Sequence, residues 1–184
     1  MRSILVIIPA RSGSKGLPNK NILKLNNKPL IHYTIEVARK VFDDKQIRVS
    51  TDCEKIKYIS EETGLKVGSL RPKKLAQDKT SSYDVIMHEI NNYEKTNGDL
   101  DTVILLQPTS PFREPKHIIE SQKLYSDKID MVVSVKKTHS NPYFNLFEES
   151  ETGYLKKVKK SIFKRRQDCP DIWEYNGSIY IMNV

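Results

Sequence analysis

The residues from Pro9 to Asn21 read Pro-Ala-Arg-Ser-Gly-Ser-Lys-Gly-Leu-Pro-Asn-Lys-Asn and gather the groups best suited to chemistry. Arg11, Lys15 and Lys20 supply cations, and Ser12 and Ser14 supply hydroxyls. Gly13 and Gly16 allow backbone amides to converge on an anion. The expected chemistry is capture of a phosphate or carboxylate. The stretch is neither GxxxxGK[ST] nor GxGxxG, so it matches neither the P-loop nor the dinucleotide fingerprint. On composition alone, a basic surface loop with turn glycines is the alternative.

Other reactive side chains are scattered. Cys53 and Cys169 form no CxxC or Cys/His pattern, so two reduced thiols are expected rather than a disulfide or zinc site. His32, His88, His117 and His139 lack HxH or HxxxH spacing and read as surface or packing residues. Thr51-Asp52 reads as a helix N-cap pair, and Arg113-Glu114 as a helix start. Asn176-Gly177-Ser178 is formally a glycosylation sequon, but the Asn-Gly pair fits a turn or a site wall better. Lys156, Lys157, Lys159, Lys160, Lys164, Arg165 and Arg166 form a basic run, expected to be a solvated face or an anion contact.

These groups need a frame. Ile4 to Ile8 is a β-branched run ended by Pro9, as in a strand buried on both faces. Pro29 opens a helical pattern through Val41. Strands are expected over Ile47–Ser50, Leu65–Val67, Thr102–Leu106, Met131–Val135 and Ser178–Met182. Helices are expected from Asp52 to about Glu62, from Asp84 to about Lys95 and from Pro115 to about Ser126. This alternation predicts an α/β fold, a three-layer α/β/α sandwich of Rossmann-like form with a mainly parallel sheet. Loops after parallel strands meet at one sheet edge, which places the Pro9–Asn21 loop at the ligand crevice. The 136–171 stretch has little periodicity and dense charge.

At 184 residues the chain suits a single domain spanning 1–184, which at this size buries about 70% of its unfolded surface without staples. Its 31 Lys+Arg against 23 Asp+Glu give +8, with a pI near 9.3, so an anionic partner is expected. No apolar run approaches a membrane span, and no membrane partner is expected. Met1-Arg2-Ser3 flanks the first strand wrongly for a signal peptide, so a cytoplasmic location is expected. Helix-turn-helix, zinc-finger and RNP-like patterns are absent, which argues against a nucleic-acid partner.

The loop sequence PARSGSKGLPNKN resembles the signature of the acylneuraminate cytidylyltransferases, the CMP-sialic acid synthetase family. Further motifs follow in order: Ser50-Thr51-Asp52; Leu70-Arg71-Pro72 with Leu75-Ala76, Asp78 and Thr80-Ser81-Ser82; Leu105 to Arg113 (LLQPTSPFR); Arg165-Arg166-Gln167-Asp168; and Asn176-Gly177-Ser178-Ile179-Tyr180. Related Kdo cytidylyltransferases differ, with a TRLPGKPL-type loop and an acidic strand end where Gln107-Pro108 stands here.

The resemblance implies a nucleotidyltransferase fold that moves CMP from CTP to the anomeric hydroxyl of a nine-carbon acidic sugar, releasing pyrophosphate. It implies nucleotide binding by Ala10, Arg11, Ser14, Lys15, Lys20, Asn21, Arg71, Thr80 and Ser82. Sugar binding falls to Gln107, Arg165, Arg166 and Asn176, and catalysis to Lys20, Arg166 and Arg11. It also implies a homodimer, with the 136–171 segment as a dimerisation or lid extension. Mg²⁺ is the expected cofactor, bound in the family by an Asp-Ile-Asp segment that follows the last strand. That segment is not found up to Val184, and no metal ligand is assigned. A CTP-binding module without turnover is therefore an alternative. In Pro142-Tyr143-Phe144 an aromatic stands where some relatives carry a sugar-binding lysine, so sialic, legionaminic and pseudaminic acid types all stay open.

Overall fold

The computed structural model describes residues 2–13 and 16–184. Strand β1 (Ile4–Pro9) leads through the expected loop into a short hairpin, β2 (Lys24–Leu25) and β3 (Lys28–Pro29). Then come α1 (Leu30–Arg39), β4 (Ile47–Ser50), α2 (Glu54–Glu61), α3 (Ser82–Asn97) and β5 (Thr102–Leu106). They are followed by α4 (Pro115–Leu124), β6 (Met131–Lys137), a second hairpin of β7 (Phe147–Glu149) and β8 (Leu155–Lys157), and β9 (Trp173–Asn183).

The main sheet has the order β4-β1-β5-β9-β6. Strands β4, β1 and β5 are parallel, while β9 runs antiparallel to β5. Alternate residues of β1 and β5 build the two faces, because successive strand side chains point oppositely. Val6, Ile8, Ile104 and Leu106 pack with Ile31, Ile35 and Ala38 of α1, Ile56 of α2 and Ile118 of α4. Leu5, Ile7, Val103 and Leu105 pack with Ile90 of α3. Helices therefore cover both faces, which gives the three layers. The unbroken apolar runs of β1 and β5 follow from this, since neither strand has a wet face.

The chain divides into two compact units. One comprises 1–134 and 177–184; the other is Val135–Asn176. The first carries the sheet and its helices. Within the second, Asn141 organises the turn before β7. Its carbonyl accepts the amides of Phe144, Asn145 and Leu146, and its side chain donates to the Pro170 carbonyl at 3.1 Å. Tyr143 and Phe163 meet edge to face, 6.0 Å between centroids.

Several elements differ from their sequence expectation. Leu65 and Val67 are buried but form no strand, because the Val67 amide donates to the Glu61 carboxylate at 3.2 Å rather than to a ladder neighbour. Helix α2 begins after Cys53, and Asp52 does not cap it. Helix α3 starts earlier, at Ser82, through a capping box between Ser81 and Asp84. Strand β9 begins five residues earlier than its apolar run, at Trp173 rather than Ser178.

Candidate functional site

A cavity of about 460 Å³ opens in the first unit, where the loops after β1 and β5 meet. Pro9 ends β1, but the Ala10 amide donates to the Ser50 carbonyl and extends the ladder by one residue. Beyond it the loop is tethered twice. The Ser12 amide and hydroxyl donate to the Asp52 carboxylate at 2.9 and 2.7 Å. Asn21 Nδ2 donates to the Arg11 carbonyl at 3.1 Å. Asn19, at φ 55°, turns the chain into the 3-10 turn Lys20–Ile22. Asparagine tolerates that left-handed region better than most residues.

Burial alone would raise the Asp52 pKa. The two bonds from Ser12 and the charge of Arg71 outweigh this and hold the carboxyl below its ordinary range. Asp52 is thus an ionised tether for the loop, a role that sequence reading took for a helix cap. Its first-turn context could have signalled this: Lys55 occupies the third position, where a capping box prefers an acid or amide.

Arg11, Lys20, Asn21 and Arg71 line the cavity, as do Thr80, Ser82 and Gln107. Arg11 pairs with Asp78 at 3.1 Å, so an entering anion would exchange one partner for another. Asp78 had no place in the expected site. The Lys20 ammonium has no ion pair among the described residues. Arg71 is only 4% exposed, and its Nε and Nη1 have no hydrogen-bond partner among the described residues. Burial pushes its pKa down, while Asp52 and Glu89 oppose that shift. Its backbone is fixed by donation to the Thr51 carbonyl at 2.7 Å, and Ser50 binds Glu89 at 2.6 Å. Buried orphan donors are uncommon, and they invite an acceptor.

Ala10 is fully buried and lies behind the cavity wall rather than in it. Thr80 Oγ1 donates to the Lys74 carbonyl at 3.2 Å, which holds the loop before α3. Ser14 and Lys15 lie outside the described residues. Arg165, Arg166 and Asn176 belong to the second unit. There Arg165 makes two 2.9 Å bonds to Asp168, which raise its pKa, and Arg166 bonds His139 Nδ1 at 2.7 Å.

Arg113, expected only to begin a helix, is 5% exposed. It donates to the Ser178 hydroxyl and carbonyl, the Gln107 carbonyl and Thr34 Oγ1 at 2.8–3.3 Å. Burial without a carboxylate partner lowers its pKa to about 10. No local sequence signal marks this role, because all the partners but Gln107 are distant in the chain.

The donor set does not fit a Mg²⁺ cage. Among the described residues no three His, Cys, Asp or Glu side chains converge. Asp52 and Asp78 are already engaged by Ser12 and Arg11.

The sequence profile of the cytidylyltransferase family matches residues 5–180. The chain belongs to the cytidylyltransferase family. It is 41% identical over 184 residues to the N-acylneuraminate cytidylyltransferase of Streptococcus agalactiae serotype V, covering 97% of this chain and 43% of that protein. It is 36% identical to the CMP-N,N'-diacetyllegionaminic acid synthase of Legionella pneumophila, covering 97% of this chain and 77% of that protein. The chain thus spans less than half the length of the N-acylneuraminate cytidylyltransferases it matches. The fold is shared with a CMP:2-keto-3-deoxy-manno-octonic acid synthetase complexed with CTP, at TM-score 0.70 and 20% identity over 98% of this chain and 74% of the other. The nucleotidyltransferase fold expected from the loop motifs is therefore correct, despite the loop differences from Kdo enzymes.

Proposed function

We propose that this cytidylyltransferase-family protein transfers CMP from CTP to the anomeric hydroxyl of a sialic acid-type nonulosonic acid. The observation that carries the reading is the cavity at the strand ends. Arg11, Lys20 and Arg71 line one space there. A triphosphate supplies both the charge and the acceptors. The kinship with N-acylneuraminate and legionaminic acid enzymes supports the choice of base and sugar.

In the proposed reaction the anomeric oxygen attacks the α-phosphorus. The new C–O–P ester forms, the α–β bridging P–O bond breaks, pyrophosphate leaves, and the hydroxyl proton is released to solvent. Such a transfer depends on alignment and charge neutralisation rather than covalent catalysis. Arg11 and Lys20 would hold the phosphates, with Asp78 released as the pair opens. Ser14 and Lys15 are assigned to the same task by the family resemblance. Asn21, already bonded to the Arg11 carbonyl, would keep that loop in place. Thr80 and Ser82, with Ala10 behind, would bound the cytidine end. Unpaired polar groups would penalise a wrong base there. Gln107 would meet the sugar. Arg165, Arg166 and Asn176 are proposed as sugar contacts on the resemblance alone.

Mg²⁺ is proposed as a companion of the triphosphate, where it would offset phosphate charge, and no step is assigned to it. A homodimer and a cytoplasmic location are proposed as well. The second unit supports the dimer, because it exposes Tyr154, Leu155, Ile162 and Trp173. No helix among the described residues is long and apolar enough to cross a membrane.

Pyrophosphate release by the full-length protein tests the reading. CTP, ATP and GTP are each paired with N-acetylneuraminate, N,N'-diacetyllegionaminate or a pseudaminate. Turnover confined to CTP with one of these acids supports it. No turnover with any acid overturns it. CTP binding without turnover would favour the binding-module reading.

A further inference from the structure

The end of β5 carries a structural problem. Leu106 pairs with Ile179, and the Gln107 amide still reaches the Ser178 carbonyl at 3.4 Å. Pro108 then stops the ladder, because proline offers no N–H and breaks the strand. The Ser178 carbonyl then has the long bond from the Gln107 amide, and the Gln107 carbonyl a 3.3 Å bond from the Ser110 amide, so both keep acceptor capacity at a half-buried strand end, where a further donor is stabilising. The Arg113 guanidinium closes this end. Its Nη2 lies 2.8 Å from both carbonyls, its Nε 2.9 Å from the Ser178 hydroxyl, and its Nη1 3.3 Å from Thr34 Oγ1 on α1.

Gly177 stands on the other side of the same residue. Its φ is +71°, and a Cβ there would lie 3.1 Å from Gln107 Oε1. That contact is tighter than ordinary packing, so any side chain at 177 would push on the Gln107 amide. One device thus holds the Gln107 backbone while a missing Cβ leaves room for its side chain.

We infer that Arg113 and Gly177 are positioning residues that fix Gln107 against the acidic sugar and so set the sugar affinity. This rests on the proposed reading of Gln107 as a sugar contact. Arg113 is separated from the nucleotide by this role: none of its partners but Gln107 lines the cavity. The charge without a carboxylate partner fits the task, because three planar donor nitrogens can serve four oxygens at once.

The test uses the full-length protein and whichever of N-acetylneuraminate and N,N'-diacetyllegionaminate it turns over faster. R113M and G177A should each raise the sugar KM about tenfold or more, the factor carried by one displaced hydrogen bond. The CTP dissociation constant should stay within about twofold. R113K, which restores one donor nitrogen of the three, should fall between wild type and R113M. An unchanged sugar KM in soluble variants, or an equal loss of CTP affinity, overturns the inference. If R113M does not fold, R113K and G177A decide by the same criterion. Q107A is the control. If it leaves the sugar KM unchanged, the Gln107 reading itself falls and the inference falls with it. If Q107A raises the KM while the other variants do not, only the inference falls.

Discussion

Two arginines are almost equally buried in the first unit, yet their surroundings differ. Arg71 is 4% exposed and lies near the charges of Asp52 and Glu89, but its Nε and Nη1 bond nothing among the described residues. Arg113 is 5% exposed and has no acid beside it, but every one of its nitrogens meets a neutral oxygen. The first borders a cavity and the second closes a strand end. Burial alone therefore does not separate a binding arginine from an architectural one. The inventory of satisfied donors does, because folding stability favours spent donors while a ligand site keeps some in reserve.

The contrast can be broken most sharply at Lys20. Lys20→Ala should lower kcat/KM with CTP by about 10²–10³-fold, the scale of losing one charge-stabilising donor. Its melting temperature should stay near wild type, since the ammonium has no partner among the described residues. A loss of stability equal to the loss of activity would make the cavity a structural feature. Arg113→Met should cost about 2–4 kcal/mol in chemical denaturation, because it removes four bonds from a charged donor at the end of β5. A cost below about 0.5 kcal/mol, the range of ordinary surface substitutions, would remove the distinction from that side.

Arg71→Met should reverse the pattern. CTP affinity measured by calorimetry should fall about 100-fold, as expected for charge-assisted bonds to a nucleotide. Folding stability should hold or rise, because orphan buried donors are removed with the charge. Parallel losses in both Arg113→Met and Arg71→Met would merge the two arginines into one class.

Asp52→Asn gives the smallest and most pH-dependent effect, about 1–2 kcal/mol for the charge-assisted bonds from Ser12. The folded-state pKa of Asp52 lies below its ordinary value of 3.8. Its contribution is therefore fully present above that value and is lost as the pH falls through the folded-state pKa. The stability gap between wild type and Asp52→Asn should be flat from neutral pH to about 5 and shrink in stronger acid. A gap that instead widened in acid would rule out an ionised tether.

Much of this molecule was legible as pattern. Ile4–Ile8 and Val103–Leu106 announce doubly buried strands because they contain no polar position to face water. The Pro9–Asn21 loop shows its cations and glycines openly, and Arg11, Lys20, Asn21, Arg71, Thr80, Ser82 and Gln107 line one cavity. Asp52 was misread because an aspartate before a helix usually caps it, whereas here Ser12 approaches from a residue 40 positions away. Leu65–Val67 was misread because its alternating apolar-polar-apolar pattern cannot reveal that Glu61 takes the Val67 amide.

By itself the sequence determined the alternation of strands and helices, the basic loop after the first strand and the motif order of a cytidylyltransferase. Those are properties of neighbours in the chain, set by side-chain period, turn chemistry and local charge. Only the tertiary structure decided which charges are spent. It paired Arg11 with Asp78, tied Ser12 to Asp52, closed the β5 end with Arg113 and left Arg71 with donors to spare. Most of these partners lie tens of positions apart, and a hydrogen bond exists only once the fold has brought donor and acceptor within reach and excluded the water that would compete for both.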